Sequence, residues 1–163
     1  MGISVQLSNI IMQLRKVCNH PFLFPGAEDN PAETTMEDLI SSSGKLAVLD
    51  KLLMHLHKNG HRVCLFSQFT TVLDLIDDYC RMRGWQYTRL DGTTSRVART
   101  VRVNQFNAEG SRDFIFLMST RAGGMGLNLQ TADTCVGERA KRASRSNTRR
   151  GSPTAYSIGH ALL

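Results

Sequence analysis

The apolar residues of this chain change their period along its length, and the changes mark out its elements. Between residues 3 and 17, Ile3, Leu7, Ile10, Ile11, Leu14 and Val17 recur three or four positions apart, the spacing of an amphipathic helix. From Cys18 to Ser43 the pattern breaks at Pro21, Pro25, Gly26 and Pro31, among several acids, and an irregular connector is expected. Ser43 then introduces a helix expected over 45–58. Leu46, Leu49, Leu52, Leu53 and Leu56 fall on one face of it, and Asn59-Gly60 is its stop.

Beyond Gly60 the chain alternates. RVCLFS (62–67) reads as a strand, 71–83 as a helix ended by Gly84, 86–90 as a strand, and 95–107 as a helix. DFIFLMS (113–119) is a nearly continuous apolar strand, followed by a glycine-rich turn and a fourth strand beginning at 134–136. Strands without polar alternation, separated by helices, imply crossover connections and a parallel sheet buried on both faces. The expected class is α/β.

Composition narrows the picture. With 163 residues and 41% hydrophobic content, the chain can build one domain with a real core. No run approaches the roughly 20 apolar residues of a membrane span. The start, MGISVQLSNIIMQLRK, lacks the order of a secretory signal. Met1-Gly2 does not open a myristoylation site, because the serine or threonine that the motif requires is missing. An intracellular protein is expected. Cys18, Cys64, Cys80 and Cys135 contain no CxxC pair, which argues against a zinc ribbon and a disulfide framework, and Cys64 is expected to be a buried thiol. His55 and His57 would lie about 200° apart on a helix, so with His61 they are expected to be solvated side chains and not a metal site.

Charge is uneven. Residues 137–163 carry Arg139, Lys141, Arg142, Arg145, Arg149 and Arg150 against Glu138, a net of +5 out of the chain's +6, leaving +1 for residues 1–136. That tail is expected to be disordered, with its positive charge free to meet phosphates. The function of the body has to be sought in its motifs.

Three segments set small polar or glycine residues at strand carboxyl ends, where open parallel sheets bind ligands. Ser67-Gln68 offers a hydroxyl and an amide that can donate to phosphate oxygens. Arg89-Leu90-Asp91-Gly92-Thr93-Thr94 joins a tight turn to two hydroxyls at the start of a helix. STRAGGMGLNL (119–129) places Gly123, Gly124 and Gly126 after a buried strand, where successive N–H groups can cradle an anion. It is neither GxGxxG nor GK[ST], and Ser43-Gly44-Lys45 does not complete a phosphate-binding lysine loop because Leu39 and Leu46 stand at its other key positions.

Taken together, LRKVCNHPFLF (14–24), SGKLAVLDKLL (43–53), RVCLFSQF, RLDGTT and LMSTRAGGMGLNLQTAD resemble successive signatures of the SWI/SNF-type chromatin-remodelling ATPases, in that family's order, over residues 7 to 136. The connector PGAEDNPAETT resembles the imitation-switch (ISWI) branch, and FNAEGSRDF is also similar to the chromodomain-helicase branch. The resemblance implies a RecA-like (P-loop NTPase-type) sheet flanked by helices, the second lobe of a motor that binds ATP and Mg²⁺ between two lobes and moves along double-stranded DNA in nucleosomes. It also implies the nucleus as location. On this reading 1–43 is a lead-in from the first lobe, 44–136 the second lobe in part, and 137–163 a tail outside the family. Ser67, Gln68, Arg89, Thr93, Ser119, Thr120 and Arg121 would contact DNA, while Gly123, Gly124, Gly126 and Asn128 would face the nucleotide.

Several departures accompany the resemblance. The family continues after TAD with an acidic stretch and a helix bearing two arginines toward ATP, and GERAKRASRSNTRR matches neither. Arg139, Arg142 and Arg145 are therefore not read as those arginines. Ala98 and Val103 replace an acid and a larger apolar residue of the family's helix. With no lysine phosphate loop and no acidic Mg²⁺ motif, these residues alone are expected to be catalytically inactive. The alternatives are the second lobe of a repair translocase and a non-catalytic nucleic-acid-binding module.

Overall fold

The computed structural model describes residues 2–28, 33–123, 127–137 and 154–156, with side chains from Ile10 onward except those of Gly123 and 154–156. The chain divides into two compact units, Met1–Asp50 and Lys51–Leu163.

In the first unit, α1 covers Gly2–Val17 and a single 3₁₀ turn covers Pro21–Leu23. The connector is not wholly irregular: α2 spans Met36–Ser41, and α3 begins at Gly44 and runs to Lys58. A capping box forms α2 despite its shortness. Thr35 Oγ1 accepts from the Asp38 N–H, and Asp38 accepts in return from the Thr35 N–H. The CNHP and SGK segments are what hold this unit in place. Asn19 O accepts from the Ser43 hydroxyl at 2.8 Å and its side chain accepts from Lys45 Nζ at 3.2 Å. Ser43 Oγ also accepts from the Leu46 N–H at 3.3 Å, capping α3 as its sequence suggested. The stripe read on α1 differs from expectation in its surroundings: Ile10, Ile11, Leu14 and Val17 are exposed. Spacing reports an apolar face and says nothing of what covers it.

In the second unit the alternation appears as expected. β1 is Val63–Ser67, α4 Thr70–Met82, β2 Tyr87–Leu90, α5 Arg96–Asn107, β3 Ile115–Ser119 and β4 Thr134–Gly137. A one-turn helix, α6 (Thr120–Gly123), opens the segment read as a glycine-rich turn. Gly60 and Gly84 end α3 and α4 with φ of +72° and +69°, which side-chain-bearing residues rarely adopt.

Two features lie inside the region expected to be a disordered tail. Gly137 completes β4, where an added Cβ would come within 2.9 Å of the Phe66 carbonyl oxygen. β5, Thr154–Tyr156, pairs in parallel with β4. An uncovered β4 would present unpaired backbone groups, and a Thr-Ala-Tyr segment suits that edge. The disorder expected of the rest of the tail falls on residues outside those described.

The sheet order is β2-β3-β1-β4-β5, all neighbours parallel. Every residue of β3 is buried. On one face Cys64, Phe116, Met118, Leu90 and Cys135 pack with Phe106 of α5 in a single cluster. By strand alternation Val63, Leu65, Ile115 and Leu117 point to the other face, and α4 buries Leu73, Ile76, Tyr79 and Cys80. Two covered faces explain why the inner strands β1 and β3 run apolar, while β2 at the sheet edge alternates in burial.

The three histidines go to separate places. His55 meets Asn59, His57 stacks on Trp85 at 5.1 Å, and His61 pairs with Asp133 at 3.0 Å. Among the described residues no helix is long and apolar enough to cross a membrane.

Candidate functional site

Strand register brings the three segments together. Ser67, the last residue of β1, is the register partner of Ser119, the last of β3, and Leu90 at the end of β2 pairs with Met118. The loops after β1, β2 and β3 therefore leave one carboxyl edge side by side.

The loop after β1 is tightly made. Ser67 is buried, and its hydroxyl accepts from the Phe69 N–H at 3.2 Å and donates to the Phe69 carbonyl at 3.1 Å. This is a local serine turn. Gln68 is half-buried beside it.

The loop after β2 is organised by one carboxylate. Asp91 Oδ1 accepts from the Thr93 hydroxyl at 2.6 Å and from the Thr93 N–H at 3.1 Å, and Oδ2 accepts from Arg89 Nε at 3.1 Å. The Thr93 hydroxyl bond, aided by the Thr93 amide and Arg89, holds the Asp91 carboxyl below its ordinary pKa. Arg89 also pairs with Asp74 on α4 at 2.6 Å. Burial works against the Arg89 charge, and the two carboxylates outweigh it, so its pKa is raised. Turn chemistry alone did not account for Arg89, and the Asp74–Arg89–Asp91 chain does. Thr93 is exposed. The threonines are not the cap of α5: Ser95 is, accepting from the Ala98 N–H at 3.2 Å.

In the loop after β3, buried Ser119 accepts from the Ala122 N–H at 3.3 Å and so starts α6, while Thr120 and Arg121 stand exposed on its first turn. Gly123 ends α6, and Gly124 and Gly126 lie outside the described residues. Asn128 is exposed, and its carbonyl accepts from Asn107 Nδ2 at 2.8 Å.

Sequence reasoning missed two hubs. Asn107 ties the end of α5 to the returning loop through Asn128 and through the Thr131 hydroxyl at 3.2 Å. Asp133 accepts from the Arg62 N–H at 3.2 Å and the Thr134 hydroxyl at 2.8 Å, besides pairing with His61. The available signal was an asparagine at a helix end and an aspartate immediately before a strand.

The edge thus presents exposed Thr120 and Arg121 and an exposed Thr93 whose hydroxyl is held by Asp91, backed by three more residues engaged in the protein itself, Ser67, Arg89 and Ser119. A parallel α/β sheet with its polar loops at the carboxyl edge is the architecture of the doubly wound ligand-binding folds, to which RecA-like lobes belong. The helicase conserved C-terminal domain matches residues 44–151, running past the boundary at 136 expected from the sequence. The human SWI/SNF-related matrix-associated actin-dependent regulator of chromatin subfamily A member 1 is 54% identical over 132 residues, 81% of this chain and 13% of that protein. The Saccharomyces cerevisiae ISWI chromatin-remodeling complex ATPase ISW2 is 52% identical over 131 residues, 80% of this chain and 12% of that protein. The Sulfolobus solfataricus SWI2/SNF2 ATPase core in complex with double-stranded DNA shares the fold, with a TM-score of 0.73 at 19% identity over 95% of this chain and 33% of that one. The chain belongs to the helicase C-terminal domain family of the SWI/SNF-type chromatin-remodelling ATPases. It spans about an eighth of the length of the curated relatives it matches.

Proposed function

We propose that this chain serves as the DNA-facing second lobe of an ATP-driven DNA translocase that acts on nucleosomes. The observation that carries the reading is the pairing of Ser67 with Ser119, which puts three polar loops on one sheet edge, where open parallel sheets bind their ligands. The relatives' names and the double-stranded DNA in the Sulfolobus complex support it. Double-stranded DNA and histone-bearing nucleosomes are then the partners, a first RecA-like lobe completes the motor, and the nucleus is its place of work. The ISWI relatives favour that branch.

Roles divide by exposure. Thr120 and Arg121 donate to phosphate oxygens, with Gln68 beside them, and Thr93 joins them when its hydroxyl turns from Asp91 to a phosphate. Ser67, Ser119 and Arg89 position those donors, because their own polar groups are engaged in the turns. Gly123, Gly124, Gly126 and Asn128 face the nucleotide. ATP with Mg²⁺ supplies the phosphoryl group whose hydrolysis drives such a motor. In sequence the glycine segment has the composition of a phosphate-binding wall built from backbone N–H groups, and it contains no lysine loop.

The test is a chimaera in which residues 44–137 replace the matching segment of a relative's two-lobed motor. DNA-stimulated ATP hydrolysis should survive, and Thr120→Ala with Arg121→Ala should lower it about tenfold or more, two phosphate contacts being lost. A folded, ATP-binding chimaera indifferent to DNA, or to both substitutions, would contradict the reading.

A further inference from the structure

Cys64 in β1 and Cys135 in β4 are register partners in the parallel pairing of these strands. Both are free thiols, 2% and 3% exposed. Register partners on neighbouring strands project to the same face, and both sit in one apolar cluster with Leu90, Phe106, Phe116 and Met118. Neighbouring strands run about 4.8 Å apart, inside the roughly 4.4–6.8 Å of Cα separation that disulfides span. Neither residue has a role at the carboxyl edge, and no cysteine spacing in the sequence pairs them.

We propose that Cys64 and Cys135 are a reversible oxidation site, closing to a disulfide between β1 and β4 when the chain meets a peroxide.

The chemistry balances in two steps. Cys135 Sγ attacks one peroxide oxygen and the O–O bond breaks. Cys135 becomes a sulfenic acid, and the departing hydroxide leaves as water with the thiol proton. Cys64 Sγ then attacks that sulfur, so that the S–S bond forms and the S–O bond breaks. The second hydroxide departs as water with the Cys64 proton. The two sulfurs together lose two electrons, and the peroxide accepts them.

The environment sets the order of attack. Beside Cys64 the Cys135 thiol is held below its ordinary pKa, while its neighbour and burial push that of Cys64 up, so Cys135 is the first nucleophile. Burial slows the reaction in the closed sheet, and local opening of β4 admits the oxidant. Every loop of the candidate edge, from Ser67 to Asn128, lies between the bridged residues. The bond therefore restrains the unfolded chain across that whole stretch.

The experiment uses the 163-residue chain with Cys18→Ser, which removes the exposed cysteine. It is treated with hydrogen peroxide under native conditions, alkylated, digested and mapped by mass spectrometry without reduction. A peptide joining Cys64 to Cys135 should be the main oxidised product, lost on adding dithiothreitol. The oxidised chain should melt about 5 °C or more above the reduced one. Cys64→Val in the same background should abolish the link and let Cys135 proceed to sulfinic acid. Circular dichroism checks that this variant folds, and if it does not, the linkage map of its parent decides alone. The proposal is overturned if both thiols stay reduced in peroxide that oxidises Cys18 of the unsubstituted chain. Sulfinic acid at Cys135 with Cys64 present and no linked peptide overturns it equally.

Discussion

The guanidinium of Arg62 lies 4.0 Å from the centroid of the Phe106 ring, and its Nη2 donates to the carbonyl of the same residue at 2.6 Å. Nε donates to the Asp113 carbonyl at 3.1 Å, and Nη2 reaches the Ser111 hydroxyl at 3.3 Å. One side chain thus satisfies a carbonyl in the last turn of α5 and fastens the loop before β3 to the start of β1. Arg62→Ala should cost about 2–3 kcal/mol in urea unfolding, from lost charged hydrogen bonds and ring contact. Arg62→Lys should recover less than half, because an ammonium lacks the planar fork. Equal stability of the lysine variant and the parent would disprove this account.

His20 gives the first unit a pH dependence. Its Nδ1 accepts from the Phe22 N–H at 3.1 Å, and its Nε2 contacts the Leu39 carbonyl at 2.8 Å. The ring meets both only as the neutral tautomer protonated at Nε2. Burial lowers its pKa from 6.5. The unfolded chain therefore takes up the proton first, and stability present above about pH 6.5 falls as the pH drops toward the depressed folded value. Amide exchange of residues 36–46, corrected for intrinsic rates, should be faster at pH 5.5 than at pH 7.5. His20→Asn should remove most of the difference.

Charge and motif can be separated in DNA binding by the chain alone. Residues 137–163 hold a net +5 against +1 for the remainder, so the tail should supply most of the affinity. Binding should be independent of sequence, with a log–log salt slope no steeper than about −5. Replacing the six basic residues between 139 and 150 by glutamine, which leaves β4 and β5 in the chain, should flatten the slope and weaken binding, whereas Ser67→Ala and Thr120→Ala should change it little outside a complete motor. Titration of duplex DNA at several salt concentrations is the measurement. An unchanged slope after this neutralisation would place the basic surface on the body.

The chain alone should hydrolyse no ATP, with or without DNA. Phosphoryl transfer needs a phosphate cradle, Mg²⁺ ligands and a charge-stabilising arginine together, and these 163 residues contain no GK[ST] loop. DNA-stimulated phosphate release that Gly124→Val abolishes would refute this.

The sequence by itself determined the elements of the second unit and their class. RVCLFS and DFIFLMS are apolar between their polar ends because both faces of the sheet are covered, and the leucines of α3 fall on one side because a helix repeats every three or four residues. These are local properties, legible in a short window. It also singled out the residues of the edge, since glycine, serine and Asp-Gly at strand ends are local signals too. The capping box of Thr35 and Asp38 was equally local, yet the prolines and acids around it masked so short a helix. Only the tertiary structure decided the lateral order β2-β3-β1-β4-β5, and with it which residues meet. Ser67 faces Ser119, Cys64 faces Cys135, and Arg89 reaches Asp74 across the packing of α4 on the sheet. It alone showed Thr120 and Arg121 exposed on that edge, and Ser67, Ser119, Arg89 and Thr93 engaged within it. Strand register is set by hydrogen bonds and core packing between segments far apart in the chain, and no local pattern of side chains encodes which distant strand a given one will join.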